Sequence, residues 1–180
     1  HELEFRVTDT QGKYAEGTVI VDINSPPTKP KIRIKPDPAE AGDALTATLK
    51  TESTDPDGDT ITYEYEWFFD GAPYGSGPTQ YDEVPSGTTI KGEVWEVYVT
   101  PVDGFNRGPE GYDSIVIANK PPTLASCSIS PINPRNDDDL AAVWSGWSDH
   151  DGDPPQVLYQ WLQYDNGVWV DTGVTTEQLP

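Results

Sequence analysis

The chain has 180 residues, with 31 acidic against 11 basic side chains and a formal charge of -20. Holding phosphate backbones or anionic lipid requires clustered Lys and Arg, so this balance excludes nucleic-acid and membrane-surface partners. An aromatic content of 11% excludes a disordered acidic tail, and no apolar run approaches the ~18 residues of a membrane span.

Taken in order, Phe5 to Thr8, followed by Gly12, and Thr18 to Asn24 read as two strands. Lys31 to Lys35 alternates with Ile32 and Ile34 inward, and is stopped by Pro36 and Pro38. Ala44 to Leu49 places Leu45, Ala47 and Leu49 on one face. Ile61, Tyr63, Tyr65, Trp67 and Phe69 share one face of a third strand, which Asp70-Gly71 ends in a tight turn. Phe69 to Gly77 reads as a loop. Val94 to Thr100 alternates Trp95, Val97 and Val99, Asp103-Gly104 marks another turn, and Ser114 to Ala118 is the last strand of this unit. Further on, Cys127 lies in an alternating run and is expected to be buried. No helix-period stretch of useful length occurs.

The chain repeats itself. Ser25-Pro26-Pro27-Thr28 returns as Lys120-Pro121-Pro122-Thr123, and Asp55-Pro56-Asp57-Gly58-Asp59 returns as Asp149-His150-Asp151-Gly152-Asp153. Tyr65-Glu66-Trp67 returns as Tyr159-Gln160-Trp161, and Val84-Pro85 as Leu179-Pro180. The common offset is about 95 residues, the size of one immunoglobulin-like domain. Phe5 to Thr8 matches Val97 to Thr100, and Thr18 to Asn24 matches Asp113 to Asn119. The expected organisation is therefore residues 1–24 as the last two strands of one repeat, 25–119 as a complete repeat, and 120–180 as the front of a third. Pro180 aligns with Pro85 and His1 with Glu93, so tail and head complement each other. A two-strand piece cannot bury its apolar face alone, so residues 1–24 are expected to pack on a preceding unit of the same polypeptide or of a neighbouring copy.

The string Asp-x-Asp-Gly-Asp, Tyr-x-Tyr-x-Trp, Trp-x-Val-x-Val-Thr-Pro-x-Asp-Gly and Ile-x-Asn-x-Pro-Pro-Thr resembles the immunoglobulin-like tandem repeats of large bacterial and archaeal surface proteins. These are similar to polycystic-kidney-disease-type, fibronectin-III-like and cadherin-like modules. The resemblance implies an all-β chain of antiparallel sandwiches and a spacer, adhesive or filament-forming role outside the cell. Some relatives join their second and sixth strands by a disulfide. The matching positions here are Ala47 and Val97, with Ala142 and Phe5 in the flanking copies, so that crosslink is absent.

Candidate sites are few. Asp55, Asp57 and Asp59, and likewise Asp149, Asp151 and Asp153, are clustered oxygen donors suited to calcium, which takes six to eight oxygens. Against this, Asp-Gly steps are ordinary turn formers, and the EF-hand register fails. Asp137-Asp138-Asp139 reads as a solvated turn whose counterpart Ala41-Gly42-Asp43 keeps one acid. Trp67 and Trp161 read as core. Trp144 and Trp147, which flank the second acidic loop, are the expected exposed aromatics. With Tyr74 they would anchor a glycan, a host surface or another protein if the chain is an adhesive module. The alternative is a purely structural segment whose partners are adjacent repeats or other copies. His1 and His150 are the only imidazoles and neither accompanies a nucleophile motif, so no enzymatic role is expected.

Overall fold

A computed structural model describes residues 2–21 and 23–180; His1 and Asp22, both inside the expected 1–24 segment, lie outside the described residues. The first strands are β1 (Glu2–Thr8) and β2 (Tyr14–Ile20), an antiparallel hairpin. Its turn is closed by Asp9, whose Oδ1 accepts the Gln11 and Lys13 N–H groups at 2.9 Å each. Phe5 pairs with Gly17, whereas the match to the Val97–Asp113 pair places Thr18 there. The observed pairing sets Leu3, Phe5 and Val7 opposite Val19, Gly17 and Ala15 on one apolar face. A slip of one residue would break that segregation, so the hydrophobic pattern decides the register. The other face carries the Arg6–Glu16 ion pair, with the Arg6 guanidinium 4.1 Å over the Tyr14 ring.

The next seven strands are β3 (Lys31–Lys35), β4 (Leu45–Thr51), β5 (Thr62–Phe69), β6 (Ala72–Thr79), β7 (Glu83–Val84), β8 (Val94–Val102) and β9 (Gly111–Val116). They form a three-stranded sheet, β3-β4-β7, and a four-stranded sheet, β6-β5-β8-β9. Period-two alternation directs Ile32, Ile34, Leu45, Ala47 and Val84 from one sheet against Tyr65, Trp67, Trp95, Val97 and Val99 from the other, and Ile117 joins them. Trp67 and Trp95 meet edge-on with centroids 6.4 Å apart, and Phe69 stacks on Trp95 at 5.5 Å. One polar tie crosses the layers, from the Ile34 N–H to Asp113 Oδ2 at 2.8 Å. This is an all-β, immunoglobulin-like antiparallel sandwich, and the described residues contain no helix.

Part of the stretch expected as a loop, Phe69 to Gly77, is strand β6. Pro73, Gly75 and Gly77 suppress the strand pattern, but β6 is an edge strand paired only with β5, where such residues are tolerated. The Asp70-Gly71 turn forms as expected, with both residues at positive φ (47° and 77°).

Beyond lie β10 (Ser126–Ser130), β11 (Leu140–Ser145), β12 (Leu162–Asp165), β13 (Val168–Asp171) and β14 (Gln178–Leu179). Cys127 pairs with Trp144 and Ile129 with Ala142, just as Ile32 pairs with Leu49 and Ile34 with Ala47. Leu140 pairs with Leu179 as Leu45 pairs with Val84. The β12–β13 turn, Asn166-Gly167, repeats the positive φ pair of Asp70-Gly71 (48° and 88°). Trp161 is 7% exposed, in line with its expected core role. Cys127, expected to be buried, is exposed. Its neighbour Ile129 is exposed as well, because among the described residues no second sheet closes over this face of β10 and β11 as the four-stranded sheet closes over β3 and β4.

Candidate functional site

Both acidic loops fold in the same way. Asp55 Oδ1 accepts the N–H groups of Asp57 and Asp59 at 2.8 and 3.2 Å, and Asp149 Oδ1 accepts those of Asp151 and Asp153 at 2.9 and 3.0 Å. These are Asx-type turns, in which a short carboxylate replaces a backbone acceptor. The middle acid of each loop then turns outward to the incoming chain. Asp57 Oδ2 accepts the Ser25 N–H at 2.7 Å, and Asp151 Oδ2 accepts the Lys120 N–H at 2.7 Å. One Pro-Pro step later the grip is renewed, from the Thr28 N–H to the Thr54 carbonyl (2.9 Å) and from the Thr123 N–H to the Ser148 carbonyl (2.7 Å). Each loop is thus a staple on the segment leading into a strand, β3 for the first loop and β10 for the second.

Charged side chains reinforce both junctions. At the first, the Asn24 amide donates to Asp103 Oδ2 at 2.9 Å. Asp103 also accepts the Phe105 and Asn106 N–H groups, and these bonds, the one from Asn106 foremost, hold its carboxyl below the usual carboxylate range. At the second, Lys91 Nζ reaches Asp153 at 2.6 Å and Asn119 at 3.0 Å, and Lys120 Nζ lies 3.5 Å from Asp43. The hydrogen bond to Asp153 raises the Lys91 pKa. The His150 ring packs on Gly42, where a side chain would collide with it.

Asp149, Asp151 and Asp153 present carboxylate oxygens within 4.8 Å of one another. Asp151 Oδ1 is buried without a hydrogen-bond partner, an oxygen that a hard cation would satisfy. Lys91 already approaches from the Asp153 side, yet three carboxylates against one ammonium leave the cluster net negative. Asp55, Asp57 and Asp59 form no such close group, although Asp55 Oδ2 is also buried without a partner. The Asp137 to Asp139 turn is exposed, and Asp138 is its capping member, accepting the Arg135 N–H at 2.7 Å as Asp43 accepts that of Glu40 at 2.9 Å.

The aromatics expected to form a contact surface are scattered. Tyr74 leans on Trp95, ring centroids 5.1 Å apart, at the rim of the core. Trp144 is not in a loop but on β11, half-buried, with its indole N–H directed at the Tyr159 hydroxyl (3.4 Å). Trp147 is also half-buried, so neither is the exposed indole that was expected. That place belongs to Trp169, 64% exposed on β13 and packed on Tyr164. The signal was present: Val168-Trp169-Val170 directly follows an Asn-Gly hairpin turn.

The other unusual feature is a pair of open strand edges. In the four-stranded sheet β8 lies between β5 and β9. Among the described residues, β1 pairs only with β2, and β12 pairs only with β13. Leu3, Phe5 and Val7 are mostly exposed, whereas their counterparts Trp95, Val97 and Val99 are buried.

Among the described residues of this all-β chain, the two acidic loops hold the preceding segments by the same pair of contacts. No family model matches the chain, and no curated protein matches it. Two solved structures share its general form: the rat CD45 extracellular region, domains d3-d4 (12% identity, TM-score 0.41, covering 63% of this chain and 63% of that one), and the chicken CNTN1 FN1-FN3 domains (14% identity, TM-score 0.40, covering 99% and 66%). At this distance they add nothing to the functional argument.

Proposed function

We propose that this chain is a non-catalytic structural segment of an extracellular surface protein, a stalk or filament in which immunoglobulin-like repeats are stacked end to end. In this reading residues 25–119 are a complete repeat, 1–24 are the last two strands of the one before, and 120–180 are the front of the one after. The observation that carries it is the recurrence, 95 residues on, of the same strand pairings (Ile34–Ala47 and Ile129–Ala142). With them recurs the staple from the middle loop acid to the junction backbone, Asp57 to Ser25 and Asp151 to Lys120. Each unit fixes its own entry segment, which is what a load-bearing array of similar modules requires. The Asp149, Asp151 and Asp153 loop is the candidate calcium site of the second junction, where a divalent ion would complete the stapling begun by Lys91 and Lys120.

An antibody raised against residues 25–119 tests the reading directly. It should decorate the outside of intact source cells, along a projecting stalk or fibre. Labelling that requires permeabilised cells would contradict it.

A further inference from the structure

We propose that the outer face of the four-stranded sheet is a docking surface for a cationic segment of a partner protein, one that presents an arginine or lysine side chain. The strands of this sheet are paired with one another and their inner side chains are buried, so the outer side is the bare side of a closed sandwich. Period-two alternation turns Tyr65, Trp67, Val97 and Val99 into the core. It therefore puts Glu64, Glu66 and Phe68 of β5, Glu96 and Tyr98 of β8, and Tyr112 of β9 on the outer side. Phe68 meets Tyr98 with ring centroids 5.5 Å apart, and Tyr98 meets Tyr112 at 5.0 Å. The register sets acids among these rings, with Glu96 opposite Phe68, Glu66 opposite Tyr98, and Tyr98 opposite Tyr112.

Charge, space and ring geometry converge on that occupant. The strands β5, β6, β8 and β9 contain no Lys or Arg. Arg107, from the β8–β9 loop, pairs with Glu64 at 2.7 Å, and Glu96 accepts the Tyr112 hydroxyl at 2.7 Å. Among the described residues Glu66, half-buried between the rings, has neither hydrogen bond nor ion pair. Beside it β6 bulges: Tyr65 pairs with Thr79 and Trp67 with Tyr74, so Gly75 to Pro78 have no partner on β5. The bulge leaves a shallow hollow lined by Glu66, Trp67, Phe68, Pro73, Tyr74 and Gly77. A cation there would meet a carboxylate and a ring at once, and a formal charge of -20 steers cations to the chain. Stacked sugars need a flatter platform. Phe68 and Tyr98 stand at 82° to each other, and Tyr98 and Tyr112 at 48°. The chain itself shows the chemistry, since the Arg6 guanidinium lies over Tyr14 with Glu16 as its counter-ion. Nor does the strand scaffold demand this face: Arg6 aligns with Tyr98 and pairs with Glu16, while Gln160 and Leu162 align with Glu66 and Phe68.

The test is a titration of the full chain into a fluorescein-labelled peptide of alternating arginine and glycine, followed by anisotropy. It is run at about 0.15 M salt, where exposed charges more than a Debye length apart are largely screened. The expected result is saturable, one-to-one binding. Glu66→Gln and Tyr112→Leu should each weaken it by about two- to five-fold, the scale of an exposed ion pair or cation–π contact. Glu83→Gln makes the same charge change on β7 of the other sheet and should leave the affinity unaltered. All three variants should melt with the parent chain, because none of these side chains enters the core. Equal weakening by Glu83→Gln would mean diffuse charge attraction and would overturn the proposal, as would the absence of saturable binding. Displacement of the peptide by neutral cellohexaose would assign the face to a glycan and overturn it too. The stacked-repeat reading does not enter this argument and answers separately to the labelling of intact cells.

Discussion

Trp67 shows how much of the core rests on single side chains. It is 4% exposed in the core cluster and meets Trp95 edge-on. Trp67→Ala should destabilise the sandwich by ~3–5 kcal/mol in chemical denaturation, the usual cost of a large aromatic cavity. Asp103 makes a subtler contribution. Its carboxyl is held below the ordinary range by the Asn106 N–H first and the Asn24 amide second. A lowered carboxyl stabilises the fold wherever the unfolded chain's Asp is ionised, and that stability is lost as pH falls through the lowered value. Thermal melting of the unmodified chain should therefore fall on acidification below the usual carboxylate range, and Asp103→Asn should flatten that limb. Residues such as Ile34, Val97 and Trp67 were legible in the sequence because strand alternation alone buries them. Cys127 was not, because its burial depends on whether another sheet closes over β10 and β11, and Trp144 was not, because its cover includes Tyr159, distant in sequence.

At the scale of elements, turn chemistry is the most faithful signal. Asp70-Gly71 was readable from two residues, and Gly71 at φ 77° leaves little room for any other residue. Gly71→Ala should cost ~1–2 kcal/mol, measured by denaturant midpoint, because an L side chain is strained in that region. Strand β6 was illegible for the opposite reason: Pro73, Gly75 and Gly77 erase its pattern, and pairing with β5 along one edge restores it. The acidic loops were visible as motifs, but their stapling role was not, since it requires knowing that Ser25 and Lys120 pass within hydrogen-bond reach. If the second loop also binds calcium, melting of the chain should shift upward with added calcium and back with chelator, by mass action on the folded state. Asp151→Asn should remove that shift. A melting curve indifferent to calcium would leave the Lys91 ammonium as the cation at the loop.

Across the whole molecule, some strand pairings occur twice, such as Leu45–Val84 and Leu140–Leu179. The hairpin's register follows the apolar face that carries Leu3, Phe5 and Val7. That face now poses the central question: what covers Leu3, Phe5 and Val7 in the native assembly. High-resolution electron microscopy of that assembly answers it most directly. The account predicts Phe5 inside a closed sandwich, with units following one another end to end. A bare hairpin face, or one covered by an unrelated chain with no sandwich completed, would contradict it.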